Sequence, residues 1–215
     1  MKRKTDAETG ITVTRRNLPH WTRQNALYWV TFRLVDSLPG AKLNAWKAER
    51  ELWVRKHPEP RTESEWREYD RRFGRKLESW LDAGYGECVL ARPGIRGILR
   101  DCLLRFEGVR LLLPAAVIMP NHVHLLMEVI GENSLSGMLG GIKGASARRI
   151  NRVLGREGRL WQDESYDHIV RSRSQYLHFL RYIADNPARA GLGPAQYWLR
   201  LPGRVAQTFL SVSGR

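Results

Sequence analysis

Two histidines spaced two apart, in Met119-Pro120-Asn121-His122-Val123-His124-Leu125-Leu126-Met127-Glu128-Val129, are the first residues of this chain whose types and spacing could do chemistry. The stretch alternates with a period of two. As a strand it sends Val123, Leu125, Met127 and Val129 to one face, and His122, His124 and Glu128 to the other. Neutral imidazole nitrogen binds divalent cations well, so a pair on the non-core face could hold a metal. Taken alone, the strand leaves half-exposed surface histidines open as the other reading. A second stretch, from Ser174 to Leu192, has helical periodicity. Tyr176, Leu177, Leu180, Ile183 and Ala184 form its apolar stripe, while Gln175, Phe179, Tyr182 and Asn186 share a neighbouring face, so Tyr182 and Asn186 point the same way. Pro187 disfavours helical geometry in the residue before it, which predicts Asn186 at the helix end with its amide free to reach a ligand. A packing tyrosine followed by a stop signal is the alternative there.

The elements that must position these residues follow from the rest of the chain. Leu27 to Val35 alternates as a first strand, and Asp36-Ser37-Leu38-Pro39-Gly40 is a turn. Helical segments at 41–57 and 63–83, broken by Pro58-Glu59-Pro60, carry Trp46, Trp53, Trp66 and Trp80. They read as an inserted hairpin packing tryptophans inward, with a nucleic-acid clamp as the alternative. A helix is expected over 93–106, strands over 109–118 and 122–129, and a helix over 134–154 with Leu135, Met138, Leu139, Ile142, Ile150 and Val153 inward. A fourth strand region, 160–171, precedes the Tyr182 helix. Strand, helix, strand, strand, helix, strand is the order of an α+β ferredoxin-like sandwich with an antiparallel sheet. Its core helices would cover one sheet face and leave the other to the histidines. One domain over 21–202 is expected, with the insertion at 41–85, a flexible basic segment at 1–20 and a tail at 203–215.

Composition narrows the partners. A net charge of +14 on 215 residues, with a pI near 10.4, favours a polyanion. No lipidation signal, long apolar run or basic amphipathic N-terminal helix points to a membrane, and Met1-Lys2-Arg3-Lys4 leads into no apolar region of a secretory signal. A cytoplasmic protein is expected. Cys88 and Cys102 lack the spacing of a zinc knuckle or a disulfide framework. Gly137, Gly140, Gly141 and Gly144 do not form a phosphate-loop pattern.

Met-Pro-Asn-His-Val-His at 119–124, followed by Tyr182-Ile183-Ala184-Asp185-Asn186-Pro187-Ala188-Arg189-Ala190-Gly191-Leu192, resembles the REP-associated tyrosine transposases, relatives of the single-Tyr HUH transposases of bacterial insertion sequences. Thr31-Phe32-Arg33-Leu34, Ala147-Arg148-Arg149-Ile150-Asn151, Leu160-Trp161-Gln162 and Tyr166-Asp167-His168-Ile169-Val170-Arg171 match as well, so the likeness runs from about Leu18 to about Leu201. It implies a DNA endonuclease and transposase that cleaves and rejoins single strands beside palindromic hairpins, repetitive extragenic palindromes, as a monomer or homodimer. Tyr182 would be the nucleophile, giving a 5′-phosphotyrosine and a free 3′-hydroxyl. His122 and His124 would hold magnesium or manganese, with Asn186 completing the protein ligands; Glu128 shares the histidine face but the family pattern does not require it. Arg33, Lys143, Arg148, Arg149, Arg152 and Arg156 are the expected phosphate contacts, and Trp29 and Phe179 the candidate base-stacking rings. Two rival readings are a non-catalytic ferredoxin-like nucleic-acid-binding module and a metallonuclease that activates water.

Overall fold

The computed structural model describes residues 26–38, 40–58 and 62–203, except for the side chains of 41, 42, 63, 66 and 70, together with the backbone of β1 (Arg3–Asp6), β2 (Ile11–Arg15) and β3 (Pro19–Thr22). Those three strands form an antiparallel sheet of their own, which covers part of the 1–20 segment read as flexible and runs on to Thr22. The expected tail beyond Gly203 and the side chain of Trp66 lie outside the described residues.

The main sheet has five antiparallel strands: β4 (Leu27–Arg33), β5 (Leu111–Ile118), β6 (His122–Val129), β7 (Tyr166–Ile169) and β8 (Trp198–Arg200), in the order β7-β4-β6-β5-β8. Its first four strands are those of the expected ferredoxin-like sandwich. β8, three residues long, is too short to show a period in sequence and extends the β5 edge. Where β5 pairs β6 the register shifts between Leu112 and Ala115, around Pro114, which has no N–H to give the ladder.

Period-two alternation in β4 and β6 builds the first core. Tyr28, Val30, Phe32, Val123, Leu125 and Met127 face α4 (Pro93–Leu104) and α5 (Leu135–Leu154). Ser134 caps α5 by accepting from Gly137 N at 3.1 Å, and Gly155 ends it at φ 63°, where a side chain would be strained. Val153, expected inward, is 65% exposed at the last turn.

The opposite sheet face is not left open. α6 (Arg173–Arg189) lies across it, and Leu180 and Ile183 join Trp29, Val117, Met119 and Leu126 in a second core. An apolar stripe on α6 and apolar residues on that face have only each other to bury against, at roughly 1.5–3 kcal/mol per fully buried side chain. The histidines are therefore enclosed between sheet and helix.

The insertion is α1 (Gly40–Lys56), α2 (Glu63–Tyr69), a π-helical turn (Asp70–Gly74) and α3 (Arg75–Asp82), packed around Trp46, Trp53, Tyr69, Phe73 and Leu81. Of the expected inward tryptophans, Trp46 and Trp53 are buried and Trp80 is half-buried against them. Trp46 donates its indole N–H to Phe73 O at 3.3 Å. The unit is tied to the sheet by Tyr69, whose ring stacks on Tyr166 of β7 at 6.0 Å. Among the described residues no helix is long and apolar enough to cross a membrane.

Candidate active site

β6 places His122 and His124 side by side beneath α6, each 1% exposed, with ring centroids 4.7 Å apart and planes at 77°. The tautomer of His122 follows from its neighbour. Asn121 Nδ2 donates to Leu81 O and Tyr85 O at 3.2 and 3.1 Å, which turns its Oδ1 to His122 Nδ1 at 2.7 Å. An amide oxygen only accepts, so Nδ1 carries the hydrogen and Nε2 keeps its lone pair. His124 Nδ1 lies 2.8 Å from Thr31 Oγ1 on β4, and donation from Nδ1 leaves its Nε2 in the same state. Burial pushes the His122 pKa down to about 3, and the nearby Arg33 charge adds to the shift. His124 is lowered well below its usual value, first by burial and then by the charges of His122 and Arg189. Both rings are held neutral at pH 7, the form that ligates cations.

α6 brings Tyr182, Asn186 and Arg189 to the same place, because spacings of four and three keep them on one helix face. The Tyr182 ring meets His124 edge-on at 5.1 Å and Trp29 edge-on at 5.2 Å. The helix does not stop at Asn186 as the proline predicts; it continues to Arg189. Pro187 forfeits only one hydrogen bond in the last turn, and Ala190 N to Asn186 O (3.1 Å) and Leu192 N to Pro187 O (2.9 Å) close the end. Asn186 is fully buried there.

Arg189 spreads over the Tyr182 ring, 5.1 Å from its centroid, and lies 3.8 Å from Glu78 and 3.7 Å from Asp82, both on α3. Burial drives the Tyr182 pKa far above the usual phenol value. Glu78 adds to the rise by its charge and as an acceptor near the hydroxyl, Asp82 adds to it by charge, and Arg189 opposes them. Burial also raises the Asp82 pKa against the pull of Arg189. Buried groups normally find hydrogen-bond partners. Among the described residues, the buried side-chain nitrogens and oxygens left without one are Asp82 Oδ1, His122 Nε2, His124 Nε2, the Tyr182 hydroxyl and both amide atoms of Asn186. All belong to this one cluster.

A family model described as "Transposase IS200 like" matches residues 103–186, the segment that holds both histidines, Tyr182 and Asn186. Over these residues the chain is similar to IS200-like transposases. The match bears out the transposase resemblance and supports a transposase role. Two solved structures are also similar: the REP-associated tyrosine transposase bound to a REP hairpin (14% identity, 83% of this chain and 76% of that one, TM-score 0.42), and a structure from Deinococcus radiodurans R1 assigned as a transposase (18% identity, 77% and 93%, TM-score 0.35). No curated protein sequence matches.

The other expected site residues fall in different places. Within the IS200-like segment, Lys143 is tied to the protein itself: its ammonium donates to Gln162 O, Asp163 O and Ser165 Oγ at 2.6, 3.0 and 3.4 Å, and burial lowers its pKa to about 8. Arg148, Arg149 and Arg152 are exposed on α5, across the sheet from Tyr182. Arg156 is paired with Glu87 at 2.7 Å. Arg148, Arg149 and Arg152 therefore lie away from the phosphate that Tyr182 would attack, so a phosphate track along them would be separate from the Tyr182 site. The cause is the second helix layer: with α6 over the histidine face, α5 serves the opposite one. Arg33 stays near the site, paired in register with His122, and burial pushes its pKa down to about 10 against the pull of Glu164. Trp29, only 4% exposed, stacks on His124 and Phe179 at 5.1 and 4.6 Å and lines a cleft beside α6. Phe179 is half-buried and lines the same cleft. Arg189, seven residues after Tyr182, was within reach of the helical period. Glu78 and Asp82 carried no such signal.

Proposed function

We propose that this chain cleaves and rejoins single-stranded DNA through Tyr182, with a divalent cation, magnesium or manganese, held by His122, His124 and Asn186. The observation that carries the reading is the set of buried polar atoms without partners: two imidazole Nε2 lone pairs, an amide oxygen and a phenol hydroxyl converge where burial would otherwise forbid them. Among the described residues no three His, Cys, Asp or Glu side chains cluster to hold a metal. Two neutral imidazoles and an amide oxygen still suit a cation that keeps further positions for phosphate oxygens. When bound, that cation neutralises charge on the scissile phosphate.

The residues of the chain do the rest. Tyr182 Oη attacks phosphorus in line, its proton passes to the Glu78 carboxylate, and the P–O3′ bond breaks as the leaving 3′-oxygen takes a proton from solvent water. A 5′-phosphotyrosine and a 3′-hydroxyl remain, and the reverse step rejoins a strand. Trp29 and Arg189 hold the phenol ring in place against His124. Hairpin-flanking single strands are the substrate implied by the motif resemblance. One observation favours the rival water-activating nuclease: the environment of Tyr182 holds its hydroxyl protonated. A denaturing gel with end-labelled hairpin DNA and magnesium or manganese decides between them. A covalent protein–DNA band that disappears in Tyr182→Phe is expected; cleavage without any adduct would assign the reaction to water.

A further inference from the structure

A cleft of about 880 Å³ runs between the inserted helices and α6, and reaches His124 and Tyr182 at its inner end. Arg67, Arg71 and Arg75 line one side of it, four residues apart along α2, the π turn and α3. Successive turns of a helix are roughly 5.4 Å apart, close to the rise between phosphates in an extended single strand. Four arginines, these three and Arg189, face a single carboxylate, Glu78, among the lining residues. The two sides of the inserted helix differ in what they do with their charges. Arg72 and Lys76 pair with Glu49 at 3.0 and 3.7 Å, whereas Arg71 and Arg75 are exposed and have no ion-pair partner among the described residues. Across the cleft, Ser174, Gln175 and His178 offer hydrogen bonds, and Phe179 a half-buried ring. Basic side chains on one wall and polar and aromatic ones on the other are what an unpaired strand needs, phosphates to one side and bases to the other.

We propose that the inserted helical unit is the strand-binding wall of this protein, with Arg67, Arg71 and Arg75 taking successive phosphates of a single DNA strand and leading it toward Tyr182. The arginines on α5 lie on the far side of the sheet and contribute no contact to that strand. Only the direction of travel, toward Tyr182, rests on the proposed chemistry; the binding itself does not.

The test measures binding without chemistry. In the Tyr182→Phe chain without divalent metal, the affinity for a fluorescent unstructured DNA strand is followed against salt. Arg71→Gln with Arg75→Gln should weaken binding roughly tenfold near physiological salt and lower the log–log salt slope by about 1.4, since each lost phosphate contact removes about 0.7. The paired Lys substitutions should restore the slope, which a merely structural role would not predict. Arg148→Gln, Arg149→Gln and Arg152→Gln together should leave both quantities where they were. An unchanged slope in the Arg71/Arg75 variant, or an equal loss in the α5 variant, overturns the proposal. Because no cleavage is read, failure to find a tyrosine adduct in the wild type would leave this result standing, and the two ideas can fail separately.

Discussion

His122 and His124 are buried as neutral rings, and that choice has a stability consequence of definite sign. The unfolded chain takes up a proton near pH 6.5, while folded His122 does so near 3. Its contribution is therefore complete above 6.5 and is lost as pH falls toward 3, at about 1.4 kcal/mol per pH unit for such a group. His124 shifts in the same direction. In metal-free protein, the urea midpoint should drop more steeply from pH 7 to 5 in the wild type than in His122→Gln/His124→Gln; parallel curves would show that the rings do not carry this linkage. Tyr182 presents the complementary case, a buried hydroxyl without a hydrogen bond of normal geometry. Tyr182→Phe should abolish cleavage and yet stabilise the fold by roughly 1–2 kcal/mol, read as a rise of a few degrees in melting temperature. Glu78→Gln separates charge from proton transfer at the same hydroxyl. Removing the negative charge should ease ionisation of Tyr182, but the amide oxygen that remains accepts a hydrogen bond without taking the proton, and loss of that base should cost about 100-fold in cleavage at pH 7 and move the pH profile to the alkaline side. A faster variant would reduce Glu78 to an electrostatic brake.

At the scale of elements, α6 determines where Tyr182 stands, and its first turn is held by Ser172, whose Oγ accepts from Gln175 N at 3.1 Å. Ser172→Ala should cost about 1 kcal/mol in chemical unfolding, because one orphan N–H of the helix start loses its acceptor. The strands around the site were legible because each has one face in a core: Val123, Leu125 and Met127 alternate with His122, His124 and Leu126, and no other period fits them. The pairing of Tyr182 with Asn186 was legible from helical spacing alone. The covering of the histidine face was not, since Trp29, Val117 and Leu126 signal a second core only once α6 is known to lie over them. Pro187 misplaced the helix end because its preference acts on one residue, while the packing of Ile183, Asn186 and Pro187 acts on the whole last turn. Glu78 and Asp82 reach Tyr182 through tertiary packing of an insertion, a relation that no local pattern records.

For the molecule as a whole, the chain carries a net charge of +14, and among the described residues basic side chains stand on both sides of the main sheet. The α5 arginines face solvent on one side, and the cleft arginines face the candidate site on the other. A cleft bounded by helices on both flanks suits one strand better than two. Hairpin DNA with an unpaired flank should therefore be cut in that flank, and annealing a complement to the flank should suppress cutting on a labelled-strand gel; equal cutting of the paired form would point to an open surface instead. The π turn at Asp70–Gly74 has its own effect at this scale. It spends one residue more per turn than the α-helices on either side. A three-base in-frame deletion there would remove the extra residue and let α2 and α3 run on as one regular helix, with everything after it keeping its face. Composition and charge would scarcely change. Arg75, Glu78 and Asp82 would stay on the cleft together, so the π turn is a reserve of phase: the insertion can lose one codon there and keep these side chains aimed.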